Sequence, residues 1–181
     1  MVRSAHFVPE NPTRLAPLLG ALSLATDLGA GNPTESALRT AVIATRVARA
    51  MSVGGHALSD VYYTALLRYL GCTGFAHEEA ALGAGDDLAF LATYQAADPT
   101  DTRAFVGLTL GKLARGKPLT ARAGAVARVL TAPRTYGELA RAHCAQAVAL
   151  GAHLDVGPGV VAALGEMYER HDGRGAPRGL A

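Results

Sequence analysis

A helix-start signal recurs along this chain and constrains its fold more than any other feature. Asn32 is followed by Pro33 and Glu35: an N-cap, a residue whose fixed φ suits the first turn, and an acid near the positive helix end. This pattern predicts a helix from about 33 to Met51. Asp98, Pro99 and Asp101 repeat the grammar, and Thr135 with Glu138 forms a capping box, so two further helices are expected there. Ser59 is placed to cap a helix through Val61, Tyr62, Ala65, Leu66, Tyr69 and Leu70, an apolar series at helical spacing that stops at Gly71. Leu88 to Ala96 and Thr120 to Leu130 are shorter candidates, and Gly157, Pro158 and Gly159 open a last helix to about Arg170. On that helix Val160, Val161, Leu164, Met167 and Tyr168 share one stripe, which reads as core packing. β-branched residues seldom alternate with polar ones, so no strand is predicted and the expected class is all-α.

Half of the 181 residues are apolar, 18% are charged and the formal net charge is +2, which suits one domain with a single core and excludes disorder as the main state. No apolar run reaches the roughly 18 to 20 residues of a membrane span. The first twenty residues carry Pro9, Glu10, Pro12 and Arg14 where a secretory signal would be continuously apolar, so a cytoplasmic location is expected. Cys72 and Cys144 are too few for a disulfide scaffold and read as reduced thiols in or near the core. So small a charge excess gives no generic basic grip, and neither nucleic acid nor membrane is an expected partner of this domain.

Beyond the last helix, His171-Asp172-Gly173-Arg174-Gly175-Ala176-Pro177 has too much Gly and Pro for anything but a tight loop. The longer segment from Tyr168-Glu169-Arg170 through this loop to Arg178-Gly179-Leu180 resembles the signature of HD-GYP phosphodiesterases, His-His-Glu-x-Trp-Asp-Gly-x-Gly-Tyr-Pro-x-Gly-Leu. Upstream, Leu66-Leu67-Arg68-Tyr69-Leu70-Gly71-Cys72 stands where that family has Leu-Leu-His-Asp-Ile-Gly-Lys, and His143 is similar to the first residue of its His-Pro-Glu-x-Gly element. The order is the same, and the resemblance runs roughly from Glu35 to Leu180. Ser23-Leu24-Ala25-Thr26-Asp27-Leu28-Gly29 resembles a bacterial subgroup of HD-type proteins whose members often carry a LuxR-type helix-turn-helix at the C-terminus. The resemblance implies one HD-domain-like helical bundle over 1–181, with 1–32 as an N-terminal extension packed on it. It also implies that the chain is the front part of something longer, because the motif breaks off at Ala181.

The family's chemistry uses two or more divalent metals, which activate a water toward a cyclic-dinucleotide phosphodiester and stabilise attacking and leaving oxygens together. Carried over position by position, Ser36 takes the first ligand place, Arg68 and Tyr69 the His-Asp pair, and Met167 and Tyr168 the two signature histidines, leaving His143 as the one retained ligand type. The lysine after the pair is Cys72, and the tyrosine of the name motif is Ala176. An arginine at 68 puts a permanent cation where a dication would sit. No resident cofactor is therefore expected. Were the chain active, the metal would be Mn, Fe, Mg or Zn.

Each candidate residue has two readings. His143 shares a face with Leu139, Ala147 and Leu150 and reads either as a core-edge histidine bonded to a neighbour or as a surviving metal ligand. As a ligand it would need the company of Cys72, His77, Asp86 and Asp87, a set whose spacing matches no standard metal motif. Glu169 and Asp172 are signature remnants that shape the loop through pairing with its arginines, or else act in catalysis. Arg39, Arg68 and Arg174 are candidate phosphate contacts, since guanidinium grips phosphate bidentately. Arg39, Arg46 and Arg49 fall on one side of their helix, ordinarily a solvated face and otherwise a contact for an anion or nucleic acid. The expected role is a catalytically degenerate regulatory or protein-interaction module that engages a protein partner or the missing C-terminal domain. The alternatives are a metal-dependent phosphohydrolase with shifted ligands and a non-hydrolytic nucleotide sensor.

Overall fold

The computed structural model describes residues 15–74, 85, 101–131 and 133–180. Seven α-helices lie among the described residues: α1 (Leu15–Gly29), α2 (Ser36–Ala50), α3 (Gly55–Leu66), α4 (Thr102–Lys112), α5 (Leu119–Thr131), α6 (Pro133–His153) and α7 (Pro158–Gly165). A single 3-10 turn, Cys72–Gly74, follows α3, and the one extended pairing among the described residues is an isolated bridge between Tyr168 and Ala176. The architecture is an all-α bundle, consistent with an HD-domain-like fold. No helix among the described residues is long and apolar enough to cross a membrane. The helix predicted over Leu88 to Ala96 lies outside the described residues.

The main core gathers Leu19 of α1, Ala41 of α2, Leu66 of α3, Leu67 and Leu70 just beyond it, Ala147 of α6, and Val160 and Leu164 of α7. Burying each large aliphatic side chain contributes about 1.5–3 kcal/mol. α2 packs on α3, α6 on α7, and α3 on α7, while α1 lies against both α2 and the 3-10 turn. A second, smaller cluster joins Leu113 and Ala114, at the end of α4, to Ala125, Val126 and Val129 of α5.

Several helix ends differ from the sequence expectation, each for a local physical reason. α2 begins at Ser36 rather than 33, and Asn32 does not cap it. Glu35 occupies the N-cap place in a left-handed conformation, with φ 67° and no side-chain cap. The cap comes instead from the preceding helix: the fully buried Asp27 carboxylate accepts the Ala37 N–H at 3.1 and 3.2 Å. A carboxylate brought by tertiary contact to the positive helix end satisfies an otherwise orphaned donor. Asp27→Ala is expected to cost about 2 kcal/mol in urea denaturation, and Asp27→Asn, which keeps one acceptor, less. An Asp27→Ala protein as stable as the parent would contradict this cap.

α3 starts at Gly55, a turn before Ser59, and ends at Leu66, so Arg68 and Tyr69 sit in the following turn rather than on the helix. α4 opens at Thr102, later than the Asp98-Pro99 signal places it: Asp101, expected as a first-turn acid, is itself the N-cap, its carboxylate accepting the Ala104 N–H at 2.9 Å. α6 begins at Pro133, two residues before the predicted capping box. α7 opens at Gly157–Pro158 but stops at Gly165, which removes Met167 and Tyr168 from the expected helical stripe.

Candidate functional site

The turn after α3, the middle of α6 and the segment after α7 meet at one place. Gly71 makes this possible. A β-carbon there would fall inside the His143 carbonyl oxygen and stand 2.9 Å from that carbonyl carbon and 3.2 Å from the Ala147 nitrogen. Only the absence of a side chain lets the turn press against the α6 backbone. Cys72 and His143 are thereby carried into the same buried region, 6% and 4% exposed.

Tyr168 enters that region from the strand-like segment beyond α7, held by the Ala176 N–H donating to its carbonyl at 2.9 Å. Its hydroxyl lies 3.3 Å from His143 Nδ1 and 3.9 Å from Cys72 Sγ. A half-buried phenol still favours a polar partner for its hydroxyl, and the imidazole supplies one. Cys144 lies in the same layer, where burial pushes its thiol above the ordinary range despite hydrogen bonds from the backbone of Tyr168 and Met167. Met167 packs against the main core.

Next to this cluster the Arg68 guanidinium lies over the Tyr69 ring, 4.2 Å from its centroid, and donates to the Tyr69 hydroxyl. Burial raises the Tyr69 phenol, outweighing the opposing pull of Arg68 and a hydrogen bond with Asn32. The pair therefore presents a cation and a neutral phenol at neutral pH.

The signature loop is folded by its own acids. Glu169 accepts the backbone N–H of Arg178 at 2.6 Å through one carboxylate oxygen and that of Leu180 at 2.7 Å through the other. Asp172 takes both Nε and a terminal nitrogen of Arg170 at 3.1 Å, together with the Arg174 N–H at 3.1 Å. Arg178 also reaches Glu166. Gly175 lies so close to residues 168–170 that a β-carbon would meet the Tyr168 carbonyl oxygen at 2.6 Å. Hydrogen bonds from Arg170 and from the Arg174 backbone hold the Asp172 carboxyl down at about 2. Because the folded value is depressed, the bonds that depend on the carboxylate are fully present above about pH 4 and are lost as pH falls through about 2. Carboxyl NMR is expected to show Asp172 titrating near pH 2, and titration near 4 would contradict these bonds.

The candidate phosphate contacts are held by separate parts of the fold. Arg39 pairs with Glu35 at 3.5 Å on the exposed side of α2, Arg68 is turned onto Tyr69, and Arg174 is exposed in the signature loop. Cys72 and His143 come together around Tyr168, whereas His77, Asp86 and Asp87 lie outside the described residues. The bridging role of the Tyr168 hydroxyl was legible only indirectly, because a tyrosine on an apolar stripe advertises its ring rather than its oxygen. Asp27 gave one clue, an acid ten residues before the N–H it caps.

The HD-GYP resemblance implies a pair of divalent metals, and the described residues do not fit them. The corresponding positions carry a hydroxyl at Ser36, a guanidinium at Arg68, phenols at Tyr69 and Tyr168, a thioether at Met167 and one imidazole at His143, whose Nδ1 faces a phenol. Hard dications need several carboxylates or imidazoles. Among the described residues no group of three or more His, Cys, Asp and Glu side chains is placed to hold a metal ion.

No family model matches the chain, and no solved structure matches it. Over 171 residues, 94% of its length, it is 24% identical to the 3'3'-cGAMP-specific phosphodiesterase 3 of Vibrio cholerae serotype O1. The chain spans 37% of the length of that relative. The similarity supports the resemblance to the HD-GYP group and the wider HD superfamily.

Proposed function

We propose that this chain is a catalytically degenerate HD-GYP-like domain that serves as a regulatory or protein-interaction module in bacterial signalling or transcription control. One observation carries the reading: the Tyr168 phenol stands between His143 and Cys72, at a position where the family has a metal-binding histidine. The parts that build the frame are kept, including Gly71 against α6 and Glu169 and Asp172 folding the signature loop. A fold can outlast its chemistry when the frame has its own structural partners.

The relative's name favours a second reading, a phosphodiesterase acting on a cyclic dinucleotide. In this chain that activity would require a shifted ligand set drawn from Cys72, His77, Asp86, Asp87 and His143. A non-hydrolytic nucleotide sensor, with Arg39, Arg68 or Arg174 gripping phosphate, is the third. The test is hydrolysis of 3'3'-cGAMP and of a generic bis-aryl phosphodiester with Mn, Fe, Mg or Zn supplied. The proposal expects no turnover, whereas turnover abolished by His143→Ala or His77→Ala would establish the second reading. Calorimetry with cyclic dinucleotides at low salt is expected to show no binding, and saturable binding without turnover would establish the third.

A further inference from the structure

α2 is built inside out. The side facing the bundle is made mostly of small residues, with Ala37, Ala41 and Ala48 buried and Leu38 half-buried against the core, while the other large aliphatics face away. Val42, Ile43, Val47 and the C-cap Met51 are 45%, 61%, 54% and 72% exposed. Ile43, Val47 and Met51 follow one another at four-residue steps and therefore form a continuous apolar stripe along the helix. A stripe of this kind on a folded domain marks a contact surface. Solubility alone would favour charged residues there.

The charge beside the stripe says what covers it. Ser36 to Ala50 contains no Asp or Glu, and Arg39, Arg46 and Arg49 all lie exposed along one edge of the stripe. Arg39 has Glu35 as a partner, but among the described residues Arg46 and Arg49 have no acidic partner. Antiparallel two-fold pairing of this face with a second copy would set the arginine edges against each other, and parallel pairing would bring no acid of α2 to either edge, since the helix has none. An acidic amphipathic helix supplies both halves of the complement: an apolar seam for the stripe and carboxylates for the guanidinium edge.

We propose that the exposed face of α2 is the docking surface of this domain for an acidic amphipathic helix of a partner protein. This deepens the interaction-module reading by naming its face. Peptide binding and hydrolysis are read separately, so failure of one leaves the other standing.

The test titrates the full chain into a fluorescent, end-capped helical peptide with leucines at four-residue steps and flanking glutamates, beside a twin with every glutamate replaced by lysine. Saturable anisotropy is expected for the acidic peptide, with the lysine twin at least about tenfold weaker and added salt weakening the complex. Val47→Asp is expected to weaken acidic-peptide binding at least about tenfold while leaving the far-ultraviolet circular dichroism unchanged. Arg46→Ala with Arg49→Ala tests the charged edge, with a threefold or larger loss expected, on the order of rim-charge effects. Equal binding of both peptides, no saturation up to about 1 mM, or indifference to Val47→Asp would overturn the proposal. So would a sedimentation-detected dimer that Val47→Asp abolishes, because it would assign the face to a second copy.

Discussion

Gly71→Ala is expected to be among the most damaging single substitutions in this chain, costing about 3 kcal/mol or more. The added methyl meets backbone atoms, the carbonyl of His143 and the nitrogen of Ala147, so no rotamer change relieves it. Either the turn lifts off α6, or α6 shifts and takes His143 away from Tyr168. For a domain of this size the melting temperature should fall by roughly 6–12 °C. Gly74→Ala is the control, since its β-carbon would touch only the Gln146 side chain at 3.7 Å and stability should stay near the parent value. Thermal melts of the two proteins check this, and a Gly71→Ala protein melting with the parent would show that the turn does not bear on α6 in this way.

The second large effect is a gain of metal binding. Replacing Ser36, Arg68, Met167 and Tyr168 by His and Tyr69 by Asp, beside the native His143, restores a ligand-type side chain at every position matched to the family. Two changes do most of the work in physical terms. Arg68→His removes a fixed cation, whose repulsion is worth about 4 kcal/mol per unit charge at 4 Å near a protein surface. Tyr168→His replaces the phenol beside His143 Nδ1 with a second imidazole. The restored protein is expected to hold about two divalent ions per chain. With metal at about a hundredfold excess over its dissociation constant, stability should rise by about 2.7 kcal/mol for each ion bound. Should the fivefold variant fail to fold, Arg68→His with Tyr69→Asp is expected to bind at least one ion. A folded variant that takes up no metal, by mass spectrometry of inorganic content, would show that the frame is not that of the HD-GYP family.

Much of the fold was written in local patterns. The Gly157–Pro158 pair opens α7 because a start signal acts within its own turn, and Asp101 marks the start of α4 for the same reason, though as its cap and not as the first-turn acid expected behind Asp98. The misplaced helix ends share the opposite property. α2 is capped by Asp27 from inside α1, a pairing set by how the two helices meet and not by the local pattern of either. Tyr69 and Tyr168 fit helical stripes on either side of Gly71 and Gly165, yet both helices stop short of them, and their hydroxyls find partners distant in sequence or beside them in a turn. At the site, the substitutions themselves were visible position by position once the resemblance supplied an alignment. The new contacts that fill the space were not, because a pairing such as Cys72 with Tyr168 spans 96 residues.

The docking face on α2 was half legible. The arginines at 39, 46 and 49 were evident from spacing, but an Ile and Val stripe on a helix ordinarily faces the core. Only the burial of Ala37, Ala41 and Ala48 on the other side shows which way this helix is turned.

The places matched to the family's metal ligands carry Arg68, Tyr69 and Tyr168 beside a single imidazole, His143. The most direct test of whether they hold metal is the metal content of the unmodified chain after equilibration with manganese and iron and removal of free ions. Less than about 0.1 ion per chain is expected, in keeping with the scarcity of hard ligands at these positions. Two tightly held divalent ions per chain would contradict this expectation.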